Sequence, residues 1–441
     1  MAELVYDKNG RLLFTKEMKR EYTLLFPTML PVHFGLMARI LETEGFRVEM
    51  LTTNHRGIVD EGLKYVHNDT CYPALLVIGQ LIDAVKSGKY DLHKVALLIT
   101  QTGGGCRASN YIHLLRKALE KADLSFIPVI SINLSGLEPN PGFKLGLGTL
   151  RKAIFAMMYG DLIVQCANQV RPYEVASGQT DQTIDACEKA LLEAMNRGEG
   201  LSFHSMVENF DKLVAAFQAI PVAGEAKPRV GVVGEIYIKY SPLGNNNLEQ
   251  FLLSEGAEPV VPGLTDFIIF KIYNREVDVG IYGGLWLKKK VCQIFKGYVE
   301  KCQRAMIAAM EKGGFRAPGT FEDLRRLSNQ TANFLVHHGV KKGDCVMLVL
   351  KRHYQFWFAI LGLHKIGAIA IPATNQLVEH DFSYRFQAAG VSAVLCTADG
   401  DTAYHVDIAE ADTGMKLTKI MVGGSRDGWH DFNAEYGLFS R

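Results

Sequence analysis

Residues 94–121 read KVALLITQTGGGCRASNYIHLLRKALEK. A run of Val, Ala, Leu and Ile ends at Thr100, three glycines follow at 103–105, and Ile112, Leu115 and Leu119 then recur at helical spacing. Strand, glycine turn and amphipathic helix together make one half of a βαβ unit. Working outward, 22–27 (YTLLFP), 46–51 and 127–132 read as further strands. Residues 32–44 form a helical stretch between the first two strands. Residues 73–86 form another, with Leu75, Leu76, Ile78, Gly79 and Ile82 along its apolar side. Strands that run apolar throughout, rather than alternating, are covered on both faces, as in parallel sheets flanked by helices. The fold class expected is therefore α/β, with a largely parallel sheet.

The pattern changes further along. Residues 145–216 read as mostly helical, and 224–228 (GEAKP) as a linker. A second α/β unit starts with RVGVVGE at 229–235 and continues through a helix at 246–254, a strand at 258–261 and a helix at 288–312. GGFRAPG at 313–319 is a break, with two adjacent glycines and a proline after a helix. The strand–helix alternation then restarts: helix 321–338, strand 344–350, helix 354–366, strands 368–371 and 392–395. Three regions are expected, at 1–223, 224–318 and 319–441, without internal repeats or low-complexity tracts.

The chain has 441 residues, 48% hydrophobic and 22% charged, which are globular proportions. A net charge of +1 gives no general attraction to nucleic acid or to an anionic membrane, and neither is expected as a partner. The most apolar long window, 358–373, is interrupted by His364 and Lys365, so no transmembrane helix is expected. The first residues, MAELVYDKNGRLLF, lack the apolar core of a secretion signal, and a cytoplasmic location is expected. Eight cysteines are too sparse for a disulfide scaffold and should stay reduced there.

Two of those cysteines sit at helix starts. Cys71 lies in NDTCYP, just ahead of Pro73, a residue suited to a first helical turn. Cys106 follows the glycine triplet and precedes the helix that opens near Ala108. A positive helix end lowers a thiol pKa and favours bound anions. Gly103, Gly104 and Gly105 would let the backbone approach a bulky ligand, and Arg107 adds charge. Against this stands the usual fate of a free cysteine, a small buried core residue. A rival phosphate-loop reading is weak, because the Lys-Ser/Thr pair is missing and no G-x-G-x-x-G opens the helix. Two thiolates alone also fall short of the four ligands of a closed zinc or iron–sulfur site. Cys166, Cys187, Cys292 and Cys302 fall on helical patterns, and Cys345 and Cys396 in strand-like runs, as packing residues.

The stretches DEGLKYVHNDTCYPALLVIGQ (60–80), ITQTGGGCRASNY (99–111), IPVISINLSGLEPNPGFK (127–144) and VGVVGEIYIKYSPLGNNNLEQFLLSEGAEPVVPGLTDF (230–267) carry a resemblance. Residues ~20–315 resemble the C-terminal region of activase-related proteins of the 2-hydroxyacyl-CoA dehydratase system and, more distantly, the iron–sulfur dehydratase subunits. The resemblance implies an anaerobic iron–sulfur redox and electron-transfer module holding a 4Fe–4S-type cluster. It makes Cys71 and Cys106 metal ligands, with Asn68, Tyr72, Gly103, Gly104, Gly105, Arg107 and Asn110 around the cofactor. It also implies a dehydratase or activase subunit, or a second copy of the chain, as partner. Two family features are missing: the actin-like ATP domains that precede this region and a further Cys-Leu-Pro-Asn-His-like segment. Low cluster occupancy, or a catalytically silent fusion, is the expectation that follows.

Beyond residue ~320 the match changes. TFEDLRRLSNQTANFLVHHGVKKGDCVMLVLKRHYQFWFAILGLHKIGAIAIPAT (320–374) and KIMVGGSRDGWHDFNAEY (419–436) resemble the N-terminal part of AMP-forming acyl-CoA synthetases. The chain ends at Arg441, ahead of the Ser/Thr/Gly-rich loop that binds ATP phosphates in that family. The resemblance therefore implies a truncated α/β adenylation subdomain, no functional ATP site, and acyl-CoA ligase activity only as an alternative. Lys351, Arg352 and His353 read as solvated surface, and Trp357 and Phe358 as core. Such a subdomain is expected to leave sheet edges and an apolar face uncovered. The two resemblances meet at one break, as a rearranged gene or a misassembled sequence would leave them.

Overall fold

The computed structural model describes residues 2–440 except 68, 101–106, 133–137, 139, 320 and 352. The chain divides into two compact units, Met1–Pro318 and Gly319–Arg441, both mixed α/β with parallel sheets.

In the first unit, β1 (Thr23–Pro27), β2 (Arg47–Leu51), β3 (Val95–Thr100) and β4 (Val129–Ile132) form a parallel sheet in the order β2-β1-β3-β4. Leu24 pairs with Val48 on one side and Ala96 on the other. Because side chains alternate along a strand, each apolar run serves two cores. Leu25, Leu97, Ile99 and Val129 face the helices Tyr72–Lys86 and Tyr111–Lys121, meeting Ile78, Ile82, Ile112 and Leu115. Leu24, Phe26, Ala96, Leu98 and Ile130 pack on Phe14, Met18, Leu41 and Phe46. This double burial explains why the strands carry no polar alternation.

A helix that periodicity misses, Gly57–Tyr65, crosses Tyr72–Lys86 at backbone contact. A Cβ on Gly79 would stand 2.2 Å from the Ile58 carbonyl oxygen, and one on Gly62 2.5 Å from that of Leu75. Only glycine at both positions admits this crossing.

The helical part is organised around the largely buried helix Leu147–Val170, which packs against Gln179–Asn196, Phe203–Gln218 and Trp286–Lys312. Asp161 on it is completely enclosed. Its Oδ1 accepts the Leu264 amide at 2.7 Å, its Oδ2 the Thr265 amide at 2.8 Å, and His33 Nε2 lies 2.8 Å from Oδ1. One carboxylate thus caps the helix Leu264–Tyr282 and ties it to Pro31–Thr43, which carries His33. Burial works against the charged form, but the hydrogen bonds from His33 and Thr265 prevail and hold the carboxyl below its ordinary range. A short parallel pair, β5 (Arg229–Gly231) and β6 (Glu258–Val260), completes the unit.

In the second unit, β7 (Cys345–Val349), β8 (Ile369–Pro372), β9 (Val391–Thr397), β10 (Thr418–Val422) and β11 (His430–Asp431) lie in the order β11-β10-β9-β7-β8, all parallel. Val346, Leu348, Leu395 and Ile420 face the helices Phe321–His337 and Gln355–Ile366. Met347, Val349, Val394 and Met421 face Glu379–Ala389 and Thr402–Thr413 through Phe382, Phe386 and Val406. The expectation of an uncovered apolar face is corrected: a helix pair packs on each face of the sheet. Among the described residues no helix is long and apolar enough to cross a membrane.

Candidate functional site

In a doubly wound sheet, ligands meet the carboxyl ends of the two strands from which the crossovers diverge. In the first unit these are β1 and β3, because β2 lies beyond β1 and β4 beyond β3. The segment after β3 holds Gly103, Gly104, Gly105 and Cys106, which lie outside the described residues, as does Asn68. Arg107 and Asn110 belong to a 3₁₀ turn, with Asn110 exposed immediately before the helix Tyr111–Lys121.

Cys71 occupies the N-cap position of Tyr72–Lys86, with Pro73 in the first turn, as the sequence predicts. Its sulfur is half-buried and lies 3.0 Å from the Tyr111 hydroxyl. The structure therefore brings a phenol to this thiol. Among the described residues Cys71 joins no group of three His, Cys, Asp or Glu side chains able to hold a metal. Tyr72 is half exposed to solvent. Tyr111 was legible only as the end of the quoted Ser-Asn-Tyr motif.

The other cysteines divide. Cys166, Cys187, Cys302 and Cys396 are buried, and Cys292 and Cys345 are half-buried. Burial pushes the Cys187 thiol up to about 11 and Cys396 to about 12, which leaves both protonated and unreactive at neutral pH.

In the second unit the crevice lies between β7 and β9, and described polar side chains line it. His353, just past β7, places Nε2 2.8 Å from the Thr397 hydroxyl at the end of β9. The same hydroxyl accepts the Asp399 amide at 3.2 Å. Asp399 faces Lys351 at 3.7 Å and His353 at 3.8 Å. Gly423, after β10, runs at φ +84° against the His353 ring, where a Cβ would stand 3.0 Å from Cε1. Tyr354 and Trp357 add exposed aromatic rings at the start of the next helix. The expectation that Trp357 packs in the core is corrected: it is 61% exposed, whereas Phe358, one step round the helix, is buried. Arg352 lies outside the described residues. The crevice offers a cation and an imidazole held by a hydroxyl, groups suited to an anionic ligand.

The first unit also carries a cleft of about 690 Å³, lined by Leu30, Arg171, Glu188, Tyr240 and Glu249 among others. Burial, aided by the charge of Asp185, pushes the Glu188 carboxyl up to about 7. Burial also raises Glu249, although Asn168 donates to it at 3.1 Å.

Residues 303–435 match the family model described as AMP-binding enzyme. The mitochondrial acyl-coenzyme A synthetase ACSM5 of Rattus norvegicus is 38% identical over 121 residues, 27% of this chain and 21% of the relative. The 4-hydroxybutyrate–CoA ligase 1 of Metallosphaera sedula is 30% identical over 122 residues, covering 28% and 21%. Among solved structures, the acyl-CoA synthetase of Brucella canis aligns with a TM-score of 0.24 at 30% identity, over 27% of this chain and 22% of that one. The chain spans about a fifth of the length of the curated relatives it matches.

These matches overturn the reading of the chain as an iron–sulfur redox module with a 4Fe–4S-type cluster. The matching family is one of AMP-binding enzymes, and the relatives are acyl-CoA synthetases and ligases.

Proposed function

We propose that residues 319–441 form the opening α/β layer of an AMP-forming acyl-CoA ligase. Such an enzyme joins a carboxylic acid to AMP. A carboxylate oxygen attacks the α-phosphorus of ATP, pyrophosphate leaves, and the acyl group then passes to the sulfur of CoA with release of AMP. The observation that carries the reading is the AMP-binding family match over 303–435, which spans nearly the whole of this unit. The 38% identity with the rat synthetase supports it.

Within this layer the β7–β9 crevice is the ligand-facing part. Lys351 is half exposed beside Asp399, so its ammonium can turn from that exposed carboxylate to an incoming phosphate or carboxylate. The Thr397 hydroxyl fixes the ring of His353. Adenylation develops negative charge on the transferring phosphate, and a cation placed beforehand stabilises that charge.

A chimera tests the proposal. Residues 319–441 replace the matching segment of the rat synthetase, and carboxylate-dependent ATP–pyrophosphate exchange is measured. Exchange within about 100-fold of the parent is expected, a loss of about 2.7 kcal/mol in transition-state stabilisation at most. A folded chimera with no exchange would contradict the assignment.

A further inference from the structure

Three potential ligand side chains converge in the second unit, away from the β7–β9 crevice. His338 follows the helix Phe321–His337, His430 opens β11, and Glu435 ends the short helix Phe432–Glu435. Their nearest donor atoms all lie within 4.8 Å of one another. His338 Nε2 is 2.9 Å from Glu435 Oε2, and the rings of His338 and His430 have centroids 3.8 Å apart. Among the described residues this is the only group of three His, Cys, Asp or Glu side chains so placed.

We propose that His338, His430 and Glu435 bind a divalent transition-metal ion of the zinc type. Two imidazoles and one carboxylate are a donor set zinc takes, with its fourth position left to water. At metal–ligand distances of roughly 2.0–2.2 Å, tetrahedral ligand atoms stand about 3.4 Å apart. The observed spacings, from 2.9 Å to within 4.8 Å, bracket that value, so side-chain adjustments alone would close the site.

The surroundings hold the ligands in place. Glu435 Oε1 accepts the Asp431 amide at 3.0 Å, which fixes the carboxylate and leaves Oε2 beside His338 Nε2. The His338 carbonyl accepts the Thr418 hydroxyl at 3.2 Å, anchoring the helix end to the start of β10. Such contacts to outer partners orient metal ligands. A bound ion would join the end of Phe321–His337 to β11, the two-residue edge strand of the sheet. It would thus act as a clasp on the weakest edge, a role independent of adenylation.

The test uses the full chain, stripped with chelator, dialysed against zinc and assayed for retained metal. Affinity is then measured by competition with a chromophoric chelator. The proposal expects one equivalent of zinc that His430→Gln and Glu435→Gln each weaken at least 10-fold. His337→Ala, on the adjacent exposed imidazole, should leave it unchanged. Cobalt substitution should give d–d absorption that both Gln variants lose. Circular dichroism without metal separates loss of ligation from loss of fold. No retained equivalent, or zinc bound as tightly by both folded Gln variants, would overturn the site.

Discussion

The two sheets have the same winding and different edges. In β2-β1-β3-β4 and in β11-β10-β9-β7-β8, the first strand sits inside, the second beyond it, and the third on its other side. Both bury apolar side chains on both faces. Yet the described polar groups differ. Near the first sheet a thiol meets a phenol, whereas the second presents Lys351, His353, Thr397 and Asp399. A winding rule says where a ligand would sit and nothing about which ligand, because function lives in the side chains at the edge. The iron–sulfur reading came from a resemblance over residues ~20–315, and the matches to AMP-binding enzymes and acyl-CoA synthetases overturn it.

If the two units are separate folding bodies, a lesion in one should leave the other's unfolding transition in place. The largest effect is expected from Asp161→Ala, which strands His33 and two helix-start amides in a closed interior. Loss of one partner of a buried pair costs about 3–5 kcal/mol. Denaturant titration should show the Met1–Pro318 transition moved and the Gly319–Arg441 transition unmoved; a joint shift would break the division.

Gly79→Val comes next. Its branched side chain would drive apart two helices in backbone contact, at a cost of about 1–3 kcal/mol or more. The same change at Gly88, where nothing lies within 4 Å, should be milder, though its φ of +75° still strains a branched residue. Equal losses in chemical denaturation would mean that the close crossing is not what selects glycine.

Glu188→Gln probes the cleft through pH. The folded carboxyl titrates at about 7, above its ordinary value of 4.5. The native state therefore favours the protonated form. Stability is fully present below pH 4.5 and declines as pH rises through about 7. Removing the charge should stabilise at pH 8 and do nothing at pH 4. Because the side chain is partly solvated, the gain is about 1 kcal/mol after screening. Thermal melts at the two pH values check this, and a gain of equal size at both would exclude titration as its source.

The smallest effect belongs to Tyr111→Phe, which removes the hydroxyl facing Cys71 and costs about 1 kcal/mol or less. A loss of several kcal/mol in urea unfolding would show that this corner is more than a local contact.

Much of this fold was legible because burial on two faces writes itself as continuous apolar runs. The runs ending at Thr100 and Leu350 mark β3 and β7 within a residue or so. Short or evenly apolar elements were not legible. β11 has two residues, and β10 is five residues long, with Thr418 and Lys419 at its start. The helix Leu264–Tyr282 has apolar residues nearly all round, so no stripe announces it. Gly57–Tyr65 depends on the close approach at Gly62 and Gly79, a tertiary fact. Trp357 and Phe358 look alike in sequence, and only the helix rotation sends one outward. For the candidate site, Lys351 and His353 were visible as residues but not as a site, since Thr397 and Asp399 reach them from more than forty positions away. His338 and His430 are separated still further, and nothing in their local sequence pairs them.

If the chain meets its ligand at the carboxyl ends of β7 and β9, two inner strands of the second sheet, the basic side chains there should govern exchange. Carboxylate-dependent ATP–pyrophosphate exchange in the rat-synthetase chimera, with and without the double change Lys351→Ala and His353→Ala, tests it most directly. The unsubstituted chimera should exchange, and the folded double variant should fall at least about 10-fold below it, roughly 1.4 kcal/mol. Equal exchange by both would contradict the claim and place the chemistry elsewhere.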